Sequence, residues 1–321
     1  MKCIRVHAIG RFEIEDLPCP VPGPDDVLIK VEVTGLCRTD LKIVRSGHRD
    51  LVLPRIPGEE VVGMIQTCGA RVTRFHEGER VYVYPGVWCG TCPACQRGAE
   101  NLCRQMQIMG FHRDGGFAEQ VVAPEQSLIR APESVPAEAA VFAEPLSCCL
   151  NALELAGIGT GQSLAVWGAG PAGTLLARAA QARGIEVSSI DPDARRRDRI
   201  GGESRPPDRL FDAAIVAVGS NTAYVEALEH LAPRGRLVVF SGLSPLAAMC
   251  PVDFNSLHYH EQSLVGAYGC CWRHGQDALA CIANGSVPVL DMITHRLPIW
   301  ELDEALGIVE RREGLKVLLY P

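Results

Sequence analysis

The sequence lacks a basic excess. Lys and Arg number 31 against 38 Asp and Glu, a formal net charge of −7. No basic stripe exists to attract nucleic acid or an anionic membrane, and neither is an expected partner. No uninterrupted apolar run approaches the roughly 20 residues of a membrane span. The opening MKCIRVHAIGRFEIED holds no apolar signal core, so a cytoplasmic protein is the expectation. Aromatic residues make up only 6%, which gives no reason to expect a large aromatic ligand. Internal repeats and long low-complexity segments are missing too. What is present is a chain of 321 residues, 47% apolar and 21% charged. That composition packs a core and argues against disorder, and the length suggests about two domains.

The chain contains 14 cysteines. A disulfide framework belongs to short secreted chains, which this is not. Metal ligation and ordinary buried thiols are the alternatives, and spacing separates them. Cys89, Cys92, Cys95 and Cys103 lie together in WCGTCPACQRGAENLC. Zinc takes four soft ligands in a tetrahedron, and closely spaced cysteines on a looped backbone wrap one ion. Four thiolates close the shell, so the expectation is a structural zinc. A redox CxxC fits less well, because no thioredoxin-like unit surrounds it. The cysteines elsewhere, Cys37 apart, read as small buried hydrophobes.

The first part of the chain reads as strands and turns. VLIKVEVTG alternates with period two, with Val27, Ile29, Val31 and Val33 on one face. EEVVGMIQTCG, GERVYVYPGVW and GFAEQVVAP add further β-branched runs. Near residue 136 the character changes. PAEAAVFAEPLSCCLNALELAG has helical spacing and ends at Gly157. SLAVWGAG, IEVSSID, FDAAIVAVG and GRLVVFSG are short strands separated by helical segments, which indicates a parallel sheet with crossovers.

VWGAGPAG gives Gly168, Gly170 and Gly173 as GxGxxG, with Pro171 and Ala172 opening the helix. The motif follows an apolar strand and starts an Ala-rich helix. That is the context in which backbone and helix N-terminus receive a pyrophosphate. Asp191 ends the next strand about 20 residues on. Its carboxylate suits ribose hydroxyls and repels a 2′-phosphate, which favours NAD over NADP. Arg195, Arg196 and Arg197 follow it and offer the opposite charge. A glycine-rich turn in a non-nucleotide α/β protein is the alternative. Between Asp191 and FDAAIVAVG there are only about 20 residues, with Pro206-Pro207 among them. The third strand of the usual dinucleotide fold is therefore expected to be shortened or missing.

A β-rich first part with a four-Cys lobe, then GAGPAG, then a short return resembles the medium-chain dehydrogenase/reductase family of zinc-dependent alcohol dehydrogenases. Glu144-Pro145-Leu146-Ser147 is closest in pattern to its sorbitol and threonine dehydrogenase branch. The resemblance implies an α/β fold. A GroES-like catalytic domain would take residues 1–150 and 287–321. A Rossmann domain, a doubly wound parallel sheet shortened after its second strand, would take residues 151–286. It implies a catalytic metal centre as well. In the family motif Gly-x-Cys-x-[Ser/Thr]-Asp, here Gly35 to Asp40, Cys37 is a thiolate ligand and Thr39 a hydroxyl relay. Arg38 contacts coenzyme phosphate, and Lys42 stands at the end of the relay. The family's Gly-His-Glu is Gly58-Glu59-Glu60 here, so Glu59 replaces the histidine ligand. Glu60 and Glu144 complete the implied set Cys37, Glu59, Glu60, Glu144. One thiolate with several carboxylates is a harder shell than the family's.

The expected function is NAD-dependent, metal-assisted oxidation of a secondary alcohol of the polyol, sugar alcohol or cyclitol class, or the reverse. Zinc and NAD are the expected cofactors, and a homodimer or homotetramer the expected assembly. Two other readings remain open. One is a metal-free reductase of the same superfamily acting on a quinone or activated double bond. The other is a non-catalytic NAD-binding protein. His48 and His112 lie in loops where they could touch a substrate.

Overall fold

Strand Asp26–Leu36 organises the first of two units in the computed structural model, which describes residues 1–244 and 248–321. Val27, Ile29, Val31 and Val33 are buried as expected and Lys30 is exposed, but Leu28 and Thr34 on the opposite face are buried as well. On one side it pairs antiparallel with Glu60–Cys68, and on the other with Lys316–Tyr320 and Gln120–Pro124. Ile293–Pro298, Arg80–Val83 and Leu128–Arg130 extend this seven-stranded sheet. Val27, Ile29, Val61, Val81 and Leu128 fill one core cluster.

By contacts the first unit comprises Met1–Glu144 and Cys271–Pro321, and the second Pro145–Cys270. Helix Trp272–Ala283, expected in the nucleotide domain, therefore groups with the first unit. The reason is its packing: a side chain at Gly275 would strike Tyr82 and Ile129, so the helix lies directly on strands Arg80–Val83 and Leu128–Arg130.

The second unit is built on five parallel strands in the order Glu186–Ile190, Ser163–Trp167, Phe211–Val216, Leu231–Val239, Ser263–Gly266. In a dinucleotide fold of order 3-2-1-4-5-6 the third strand lies outside the second. Among the described residues that place holds only an isolated parallel bridge between Ile190 and Glu203. The short helix Ala194–Ile200 precedes it, and residues 201–210 form no named element. The expected loss of the third strand is what the sheet shows.

The helical stretch near residue 140 divides into Ala137–Ala140 and Ala143–Ala156. Residues 137–156 are long and apolar enough to cross a membrane, which the reading of uninterrupted runs missed because Glu138 and Glu144 break them. Yet 72% of the apolar window is buried inside the protein, the behaviour of a core helix.

Candidate functional site

Three strands meet at one end of the seven-stranded sheet. Gly35 faces Glu60 on one neighbour and Leu318 on the other. A side chain at Gly35 would collide with Glu60 Oε2 at 1.8 Å and Lys316 Cε at 2.8 Å. The missing Cβ leaves room for a buried ion pair: Lys316 Nζ donates to Glu60 Oε2, with the two side chains 4% and 1% exposed. Glu60, expected in the metal sphere, is therefore neutralised by Lys316 instead.

Cys37 follows directly, where the strand turns into helix Arg38–Arg45. It caps that helix in a reciprocal box: its side chain accepts from the third-position backbone, and Asp40 Oδ2 accepts the Cys37 N–H at 2.9 Å. Burial pushes the Cys37 thiol well above its ordinary range, and the carboxylates of Asp40, Glu60 and Glu59 push it further, against Lys316. Burial also raises the Asp40 carboxyl to about 6. Asp40 is completely buried and its Oδ1 has no hydrogen-bond partner. The centre thus carries surplus negative charge and an orphaned oxygen acceptor. Both suit a divalent cation.

Thr39 and Lys42 lie one turn apart on this helix, Thr39 half-buried and Lys42 exposed, and Arg38 is exposed at its start. Glu59 is half-buried and its Cγ approaches Gly110. Glu144 opens helix Ala143–Ala156, where a carboxylate favours the helix dipole. Among the described residues, two groups of three or more potential ligands hold their donor atoms within 4.8 Å of one another. They are the four lobe cysteines and the hairpin trio His7, Glu13 and Glu15. Cys37, Glu59, Glu60 and Glu144 do not form such a group.

The lobe is close to ready for zinc. Sulfur separations are 3.5 Å for Cys92–Cys95, 3.5 Å for Cys103–Cys89 and 3.9 Å for Cys89–Cys95. Four Zn–S bonds of about 2.3 Å require about 3.8 Å between sulfurs in a tetrahedron. Backbone N–H groups of Cys92 and Gln105 already point at Cys89 and Cys103 sulfurs. Hydrogen bonds from Thr91 and Cys92 hold Cys89 down to about 6. Glu100, between the ligands, accepts the Trp272 N–H at 2.8 Å, and the Cys271 thiol donates to Gly98 O and Asn101 Oδ1. The lobe therefore clamps the start of helix Trp272–Ala283. Cys103→Ser is expected to remove one zinc per chain and to speed amide hydrogen exchange in the first turn of that helix.

In the second unit, Gly168 has φ +102°, and a Cβ at Gly173 would lie 1.7 Å from Gly168 O. The turn is a cradle of close backbone approach that fits a pyrophosphate at the start of helix Pro171–Gln181. Asp191 is buried and holds the turn, accepting from Ala169 N at 2.8 Å and Asp193 N at 2.9 Å. Arg196 stands 3.8 Å from Asp191, with its buried Nε unpartnered.

Sequence reasoning gave no role to Asp40 or Lys316. Their signals were a Cys-x-x-Asp spacing at a helix start and a lone lysine in the apolar strand KVLLY. Of the two histidines, His48 packs edge-on against Phe111 at 4.8 Å and lines a cavity of about 360 Å³ with Ile9, Arg49 and Leu53. His112 Nδ1 accepts the Ile108 N–H.

A GroES-like sheet with a thiol lobe, joined to a parallel sheet with a dinucleotide turn, defines a two-unit nicotinamide-dependent dehydrogenase. Residues 23–133 match the alcohol dehydrogenase GroES-like domain. D-altritol 5-dehydrogenase of Agrobacterium fabrum is 32% identical, over 92% of this chain and 94% of that protein. Sorbitol dehydrogenase of Bacillus subtilis is 29% identical, over 100% and 97%. A zinc-binding dehydrogenase from Sinorhizobium meliloti, solved bound to NADP, superposes with TM-score 0.93 at 27% identity, over 100% and 99%. This chain belongs to the zinc-type alcohol dehydrogenases of the medium-chain dehydrogenase/reductase family.

Proposed function

We propose that this protein oxidises a secondary hydroxyl of a polyol, sugar alcohol or cyclitol to a ketone with NAD, and catalyses the reverse. The observation that carries the reading is the buried carboxylate surplus at Cys37, which a divalent ion would balance. The relatives named for altritol and sorbitol support the substrate class.

An ion held by Cys37 with Glu59 and Glu144 would supply Lewis-acid polarisation of the substrate hydroxyl. A nicotinamide dinucleotide on the Gly168–Gly173 turn would supply the hydride acceptor. The chain's own residues position and deprotonate. Thr39 takes the hydroxyl proton on Oγ and releases its own towards the exposed end of the helix. Lys42 stands there, where the proton leaves to solvent. The Asp191 carboxylate at the turn favours NAD, while Arg196 beside it opposes that preference.

Pairing of two copies through edge strand Ser263–Gly266 gives the assembly. Leu264 and Tyr268 are exposed along this edge, and Phe254 and Tyr259 are also exposed in the same unit. Light scattering of the purified protein is expected to give at least a dimer mass. All 14 thiols are free of disulfides, which suits a reducing compartment such as the cytoplasm.

The test is turnover on a panel of hexitols, pentitols, cyclitols and short diols with NAD and with NADP, read by nicotinamide absorbance. Polyol oxidation with NAD preferred is expected. Reduction of quinones with no alcohol turnover would move the protein to the metal-free reductases. Coenzyme binding without any turnover would make it a non-catalytic NAD-binding protein.

A further inference from the structure

We propose that Asp40 is a direct ligand of the divalent ion at the Cys37 centre, its Oδ1 filling the place of the missing histidine. The proposal rests on the metal-assisted reading above. Asp40 has two oxygens in different states. Oδ2 accepts the Cys37 N–H, whereas Oδ1 is buried and accepts nothing. A buried carboxylate oxygen without a donor is costly, and such an atom in a folded protein calls for a proton or a cation.

Neither Glu59 nor Lys316 donates to the orphan. Glu59 stands where the family motif carries an imidazole, and an ionised carboxylate only accepts. Lys316 is committed to Glu60. The helix start meanwhile places Cys37 and Asp40 three residues apart on one face, locked by the capping box. Both side chains are thus fixed at one helix start before any ion arrives. Glu59 and Glu144, both half-buried, would supply the remaining oxygens. The result is one thiolate with three carboxylates, a shell harder than one rich in sulfur and imidazole. It accepts manganese, iron or cobalt more readily relative to zinc.

The test is made on the full chain, with zinc kept in the cysteine lobe. Metal equivalents by elemental analysis and the visible spectrum after cobalt addition are measured on wild type, Cys37→Ser, Asp40→Asn and the double variant Asp40→Asn/Glu59→His. Wild type is expected to hold a second equivalent with a thiolate-to-cobalt band. Asp40→Asn, close in shape and uncharged, is expected to bind that second ion at least about 10-fold more weakly and to change the band. The lobe zinc and the melting temperature serve as controls for folding. The double variant is expected to recover the ion, because the imidazole supplies the missing donor. Loss in Cys37→Ser with unchanged affinity and spectrum in Asp40→Asn overturns the inference and leaves the metal-assisted reading standing. A wild type that takes no second ion overturns both.

Discussion

Lys316→Met is expected to lower the unfolding free energy by about 3–5 kcal/mol, because it leaves the Glu60 carboxylate buried and unpaired. The side chains of Lys316 and Glu60 are 4% and 1% exposed, so solvent cannot take over the charge. The pair lies at the junction of three strands, in the space that Gly35 leaves open. The ammonium also stands 5.9 Å from the centre of the Phe142 ring, which adds a modest attraction. The cost of the single change is chiefly that of the orphaned charge. The double variant Lys316→Met/Glu60→Gln should therefore recover most of the loss. Denaturant unfolding of the four proteins of this cycle measures it. A single-variant cost below about 1 kcal/mol, the range of exposed pairs, would show that the charges are not buried as a pair. Activity should fall with stability in the single variant, since Cys37 lies two residues beyond Gly35, just past the end of the same strand.

Much of this architecture is legible in the sequence because its signals are local. The period-two run of Asp26–Leu36, the glycine turn, and the cysteines at every third position each carry their meaning within one element. The missing third strand was legible for the same reason. The stretch around Pro206-Pro207 cannot donate the backbone bonds a strand needs. Other features depend on pairing across long separations. Lys316 and Glu60 lie 256 residues apart, and nothing near either one names the other. Only the register that sets Gly35 between their strands does so. The grouping of helix Trp272–Ala283 with the first unit has the same cause. Its anchors are Glu100 and Cys271, some 170 residues apart along the chain, joined through the cysteine lobe. The orphaned Asp40 oxygen was invisible because a sequence shows residue types and not the bonds their atoms fail to make.

Gly173→Ala is expected to weaken dinucleotide binding about 100-fold while leaving the first unit intact. The added methyl would lie 1.7 Å from Gly168 O, far inside van der Waals contact. Helix Pro171–Gln181 must then move away from strand Ser163–Trp167, or the turn must open. Overpacking of this kind costs about 1–3 kcal/mol in stability. The functional cost is larger, because Gly168 and Gly170 set the backbone surface on which a pyrophosphate rests. A displacement near 1 Å in such a site is worth about 100-fold. Asp191 would be displaced too, since its Oδ2 accepts the Ala169 N–H inside the same turn. The loss should therefore appear for NAD and NADP alike, which separates a collapsed cradle from an altered ribose preference. Calorimetric titration with each coenzyme reads the effect. Zinc content of the lobe, in the other unit, should stay at the wild-type value and certifies that the rest of the chain has folded. Coenzyme affinity within about twofold of wild type would mean that helix and strand are not as closely packed at Gly173 as the structure places them.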